Sequence, residues 1–142
     1  MGKRTRLINV TDAVIKVARE SVRNINKHNL PNFPRTTREA WYNKAFDRIL
    51  DELYEDGITI VNLHASYWWR HTPESVVNAQ TLFSFLKKLE PLFFIQVYDR
   101  PTVIKERINK VIEHRGRELT LEDILRWQDL ETYTTQIFAQ LC

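Results

Sequence analysis

The sequence predicts a mainly α protein: a compact single domain of about five helices, with room for a small two-stranded sheet. Three observations carry that expectation. Apolar residues recur at three- and four-residue spacings over separate stretches, as one face of a helix requires. Glycine occurs only at positions 2, 57 and 116. The two runs dense in β-branched and aromatic residues, 58–63 and 92–98, are short. At 142 residues, the chain suits one core better than two.

Residues 1–8 read as a flexible basic arm and residues 9–142 as a single helical domain. The first helix is expected over 10–26, where Val10, Val14, Val17, Ala18, Val22 and Ile25 keep helical spacing. Asn9 or Thr11 is its candidate cap, with Asp12 favourable in the first turn. Lys27 to Pro34 breaks the pattern, because its two prolines lack amide hydrogens and its asparagines favour turns. A second helix is expected over 38–56 behind Thr37, with Trp41, Ala45, Phe46, Ile49, Leu50, Leu53 and Tyr54 inward and Gly57 past its end.

Residues 58–63 read as a short strand. Thr72, Pro73 and Glu74 have the order of an N-cap, first helical position and first-turn acid, so a third helix is expected from there to Leu89. Leu92–Tyr98 is the second strand candidate and could pair with 58–63. Pro101 opens a fourth helix that ends near Gly116. Thr120 and Asp123 have capping-box spacing before a final helix over 121–141. The apolar residues of that helix exceed one narrow face, which places it centrally in the core or leaves a second face for a partner.

Several function classes fall away on composition. Three glycines cannot build a phosphate loop or a dinucleotide fingerprint. The single cysteine, Cys142, excludes an internal disulfide and a cysteine-rich zinc module. No window is apolar for long enough to span a bilayer. The basic start lacks the apolar run of a signal peptide, because Asp12, Lys16, Arg19 and Glu20 interrupt the adjoining segment. An intracellular protein, cytoplasmic or nucleoid-associated, is the expectation.

Charge is the most informative feature. The formal net charge is +3, but residues 1–50 carry 11 basic and 4 acidic side chains, and residues 51–142 carry 10 and 14. Lys16, Arg19, Arg23 and Lys27 succeed one another at spacings of three and four, which on a continuous helix makes a positive strip opposite the valines. Lys3, Arg4 and Arg6 would extend it through the arm; Arg35 in the loop and Arg38 in the second helix would add to it. Such a surface fits phosphate backbones, through arginine forks and lysine point charges, without specifying bases. The expected function is a small nucleic-acid-associated accessory or regulatory protein, with DNA or RNA as partner. A solvated face that keeps the chain soluble would look the same.

Two other readings stand beside it. Tyr67, Trp68, Trp69 and Arg70 form a dense cluster that could anchor a protein interface, as could an exposed face of the last helix; self-association belongs to this class. Packing between helices is the plainer role for the same aromatics. The third reading is a metal-dependent phosphodiester hydrolase drawing on Asp99, Glu106, Glu113, His64 or His71. No ligand spacing or nucleophile–base pattern organises those residues. A non-enzymatic role with no cofactor and no metal is therefore expected, and no catalytic residue is assigned. The segments 101–114 and 120 onward resemble a helix-turn-helix only loosely. The connection is long, and Glu122 and Asp123 put negative charge where a recognition helix meets DNA.

Overall fold

The computed structural model describes residues 4–53, 57–64, 66–69, 72–75, 78–89, 93–110 and 118–141. The fold is mainly helical, with five α-helices and two small two-stranded sheets among these residues. The chain groups into two compact units, Met1–Leu63 with Val77–Glu90 and His64–Val76 with Pro91–Cys142.

The first unit opens with strand β1 (Arg4–Asn9), followed directly by helix α1 (Val10–Ala18). Residues 4–8, expected in a flexible arm, thus form a strand instead. β1 pairs in parallel with β2 (Gly57–Asn62), in a register that sets Leu7 beside Ile60 and Ile8 beside Val61. The strand expected at 58–63 is therefore present, with β1 rather than 92–98 as its partner. Arg6 reinforces the pairing: its guanidinium reaches the Glu52 carboxylate and donates to the Glu52 carbonyl oxygen at 2.9 Å.

α1 is shorter than its apolar period implied. Asn9 caps it, its side-chain oxygen accepting from the Asp12 amide at 3.4 Å, but the helix stops at Ala18 with Arg19 as C-cap. The asparagines beyond it explain the stop. Asn29 Oδ1 accepts from the Asn26 amide at 2.8 Å, Asn26 Oδ1 accepts from the amides of His28 and Asn29, and Asn29 Nδ2 donates to the Asn24 carbonyl oxygen. These local bonds offer the backbone an alternative to the helix ladder. Ile25 still reaches the core, 1% exposed, but from a loop.

Helix α2 (Arg35–Asp51) begins and ends earlier than expected, with Pro34 rather than Thr37 at its N-cap. Its buried residues are Arg38, Trp41, Tyr42, Ala45, Phe46 and Ile49, a three–four alternation along one face. Helix α3 (Ala79–Leu86) packs on it, with the rings of Phe46 and Phe85 stacked at 4.2 Å and 13°. Residues 72–75, expected to start that helix, are instead a strand. α3 takes its cap from Asn78, whose Oδ1 accepts from the Thr81 amide at 2.8 Å.

The second unit contains β3 (Ser66–Trp69) and β4 (Thr72–Ser75), paired antiparallel with Trp68 beside Pro73. A sheet of two strands has only edges, where the missing amide of a proline is tolerated. Helices α4 (Pro101–Asn109) and α5 (Leu121–Leu141) complete it. The capping box before α5 closes in both directions: the Thr120 amide donates to Asp123 Oδ2 at 2.9 Å, and the Asp123 amide donates to Thr120 Oγ1 at 3.1 Å. Of the Leu92–Tyr98 candidate, Leu92 lies outside the described residues, and residues 93–98 form no strand but run without a turn toward α4.

Candidate functional site

The division into units keeps the sign of the sequence's charge asymmetry but reduces its size. The first unit carries 13 basic and 9 acidic side chains, a net of +4; the second carries 8 and 9, a net of −1. The basic side chains of the first unit differ in what they face. Arg6 is paired with Glu52, and Arg35 with Glu39 at 2.9 Å. Glu20, one residue past the α1 C-cap, takes Lys44 at 2.7 Å and Arg48 at 2.6 Å from α2. Hydrogen bonds from Lys44 and then Arg48 hold its carboxyl below the usual glutamate value. It ties the end of α1 to α2.

Arg38 is 5% exposed and lies in the buried face of α2, so it is withdrawn from the expected phosphate-contacting set. Its position was readable in advance: it lies three residues before Trp41 and four before Tyr42, hence on their side of the helix. Its charge acts inward. The Tyr42 hydroxyl, pushed up to about 12 by burial, is drawn back slightly by the neighbouring Arg38 guanidinium.

Lys16, Arg19, Arg23 and Lys27 are all exposed or half-exposed. Among the described residues none of the four has a carboxylate partner. They do not form the continuous helical strip expected of them, because α1 ends at Ala18. Lys16 lies in the last turn, Arg19 caps the helix, and Arg23 and Lys27 belong to the loop. The loop nevertheless turns back on the helix end. Arg19 Nε donates to the Ile25 carbonyl oxygen at 3.3 Å, which fixes the plane of the guanidinium and leaves its two Nη groups for an anion. Lys16 and Arg19 also complement the negative end of the helix dipole.

Lys3 lies outside the described residues, as does the side chain of Arg4. The aromatic cluster is placed only by its backbone: Tyr67, Trp68 and Trp69 are in β3, while the side chains of all three and the whole of Arg70 lie outside the described residues. The sequence did not single out the anchor of that hairpin. Glu131 on α5 accepts at Oε2 from the Ser66 amide at 2.7 Å and from the Ser66 hydroxyl, and His64 Nδ1 lies 3.7 Å from its Oε1. Ser66 is fully buried, so this serine, carboxylate and histidine hold the start of β3 against α5. A nucleophile needs access to a substrate, which a fully buried hydroxyl lacks.

A cleft of about 360 Å³ lies between α2 and α3, floored by Phe46 and Phe85 and rimmed by Asn43, Asp47, Ser84 and Lys88. Among the described residues no hydrogen bond joins Ser84 to Asp47 or Lys88, so no nucleophile–base pair is assembled there. Of the residues considered for hydrolysis, Asp99 is paired with Arg107 at 2.9 Å and Glu106 is exposed; Glu113 and His71 lie outside the described residues. Among the described residues no group of three or more His, Cys, Asp or Glu could hold a metal ion, and no helix is long and apolar enough to cross a membrane. No protein-family profile matches the chain, and comparison with curated proteins finds no relative.

Proposed function

We propose that this protein is a nucleic-acid-associated accessory protein that docks on phosphate backbones through Lys16, Arg19, Arg23 and Lys27. The observation that supports it is the concentration of four accessible cations within residues 16–27, none with a carboxylate partner among the described residues, in the unit that carries the net positive charge. Other cations in the same unit are spent on Glu20, Glu39 and Glu52. Neutralising phosphates releases condensed counterions, so affinity falls steeply with salt. The contacts are to the backbone, and sequence preference is accordingly weak. Such a role belongs to the cytoplasm or the nucleoid and requires no cofactor.

Fluorescence anisotropy with short single- and double-stranded DNA and RNA tests this reading at low salt. Binding by the wild type and its loss in the double variant Arg19→Glu, Arg23→Glu are expected. Wild-type protein that binds none of the four probes at low salt would exclude it.

A second reading, a protein-interaction module, is favoured by a separate observation. Eight of the eleven exposed large apolar side chains among the described residues belong to the second unit. They include Leu121, Leu125, Tyr133 and Leu141 on α5, which are spread around the helix rather than gathered on one face, Leu121 and Leu141 lying on opposite sides.

A further inference from the structure

Residues 93–98, Phe-Phe-Ile-Gln-Val-Tyr, have the pattern of a strand that lacks a sheet. Phe93, Ile95 and Val97 are 85%, 85% and 88% exposed, while Phe94 between the first two is half-buried. That period of two is the signature of extended chain. The inward side is fastened to α5. Thr132 Oγ1 donates to the Gln128 carbonyl oxygen at 2.7 Å, which leaves it to accept from Gln96 Nε2 at 3.1 Å and from the Tyr98 hydroxyl at 2.9 Å. Gln128 Nε2 in turn donates to the Asp99 carbonyl oxygen at 3.0 Å. The segment is thus held in place by its side chains. Among the described residues, no main-chain N–H or C=O of residues 93–98 has a hydrogen-bond partner.

We infer that residues 93–98 pair with the same segment of a second copy of the chain, as an antiparallel two-stranded sheet on a two-fold axis at Ile95. An exposed, uncharged edge with alternating apolar residues is a template for strand addition. The sequence of the segment points to a copy of itself as the occupant. A two-fold axis at Ile95 sets Ile95 against Ile95 and Phe93 against Val97, and the inward-facing Phe94 against Gln96. Every outward pair is apolar, and no charge falls within the paired run. The same patch serves both partners, as closed two-fold association requires. The three outward side chains meet those of the second copy only at their flanks, because their outer faces stay in solvent in a two-stranded ribbon, so the pairing buries well under the roughly 800 Å² per partner of a standard interface. The dimer is therefore expected to dissociate on dilution. The inference does not depend on nucleic-acid binding, since it concerns the second unit alone.

Sedimentation velocity of the full chain across a concentration series tests the pairing, and engineered thiols test its register. The expected result is a monomer–dimer equilibrium that shifts to monomer in Ile95→Lys, which brings two ammonium groups together at the axis. Ile95 is exposed, so the substitution spares the core; an unchanged circular-dichroism melt checks this. In a Cys142→Ser background, Ile95→Cys is expected to cross-link under mild oxidant, because directly opposed residues lie within disulfide reach. Phe94→Cys, which faces residue 96 of the other copy, is expected not to. A wild type that stays monomeric at the highest attainable concentration would overturn the proposal. So would a dimer that survives Ile95→Lys, or one that cross-links at position 94 but not at 95.

Discussion

Arg19 donates its Nε to the carbonyl oxygen of Ile25 at 3.3 Å, and Ile25 is itself only 1% exposed. An apolar anchor buried from a loop therefore holds the loop against the helix end that presents the arginine. Burial of Ile25 supplies the stability, and the guanidinium gains a fixed orientation from it. Ile25→Ala is expected to cost about 2–4 kcal/mol, as deletion of a buried branched side chain does. It should also weaken nucleic-acid binding, although no charge is changed. Chemical denaturation and anisotropy on the same variant check the two effects together; an unchanged affinity in the folded variant would separate the loop from the site.

Glu20 carries the only carboxylate between Asp12 and Glu39, and it stands beside the proposed docking cations. Its bonds to Lys44 and Arg48 lower its pKa, so the stability it contributes is present above the ordinary glutamate value and is lost as pH falls through the lowered folded value. Glu20→Gln should flatten that part of the acid limb in a melting-temperature series. The same variant removes a negative charge and releases Lys44 and Arg48, so its affinity for duplex DNA should rise several-fold, with a steeper dependence on salt. Weaker binding by Glu20→Gln would contradict the assignment of this face.

Tyr42 titrates in the opposite direction. Burial raises its hydroxyl to about 12, so its contribution is complete below the unfolded value near 10 and is lost as pH rises through the folded value. The gap between those two values corresponds to about 2–3 kcal/mol across that window. Tyr42→Phe should therefore extend the plateau of stability on the alkaline side. Parallel alkaline limbs for wild type and variant would show that Tyr42 ionises freely in the folded chain.

Glu131→Ala leaves the buried amide and hydroxyl of Ser66 without the carboxylate they share. A cost of about 1–3 kcal/mol is expected for each buried donor left unsatisfied. Amide hydrogen exchange provides the local readout: protection at Ser66 should fall well below that of the α1 core. Unchanged exchange at Ser66 would show that the anchor is dispensable.

Much of the fold was legible where the signal is local. Thr120, Glu122 and Asp123 marked the start of α5, and Pro101 the start of α4. The face of α2 was legible too, including Arg38, once its place in the period of Trp41 and Tyr42 is traced through. β1 was not. Arg4–Asn9 alternates Thr5, Leu7 and Asn9 with Arg6 and Ile8, and becomes a strand through parallel pairing with residues about fifty positions away. Thr72-Pro73-Glu74 has the chemistry of a helix start and serves as a strand, because pairing with Ser66–Trp69 outweighs the local preference. For the site, the sequence supplied the four cations but not their arrangement. The spacing of Lys16, Arg19, Arg23 and Lys27 implied a helix, whereas the asparagine bonds of residues 24–29 decide the geometry.

The salt dependence of duplex DNA binding tests the central claim most directly. The wild type should give a linear fall of log affinity with log salt, with a slope of roughly −0.9 for each phosphate neutralised. Replacing Arg19 and Arg23 by glutamine should reduce that slope by about two such increments and weaken binding alike for unrelated sequences. A wild-type affinity that does not change with salt, or a slope that the double glutamine variant leaves intact, would contradict docking through this cluster.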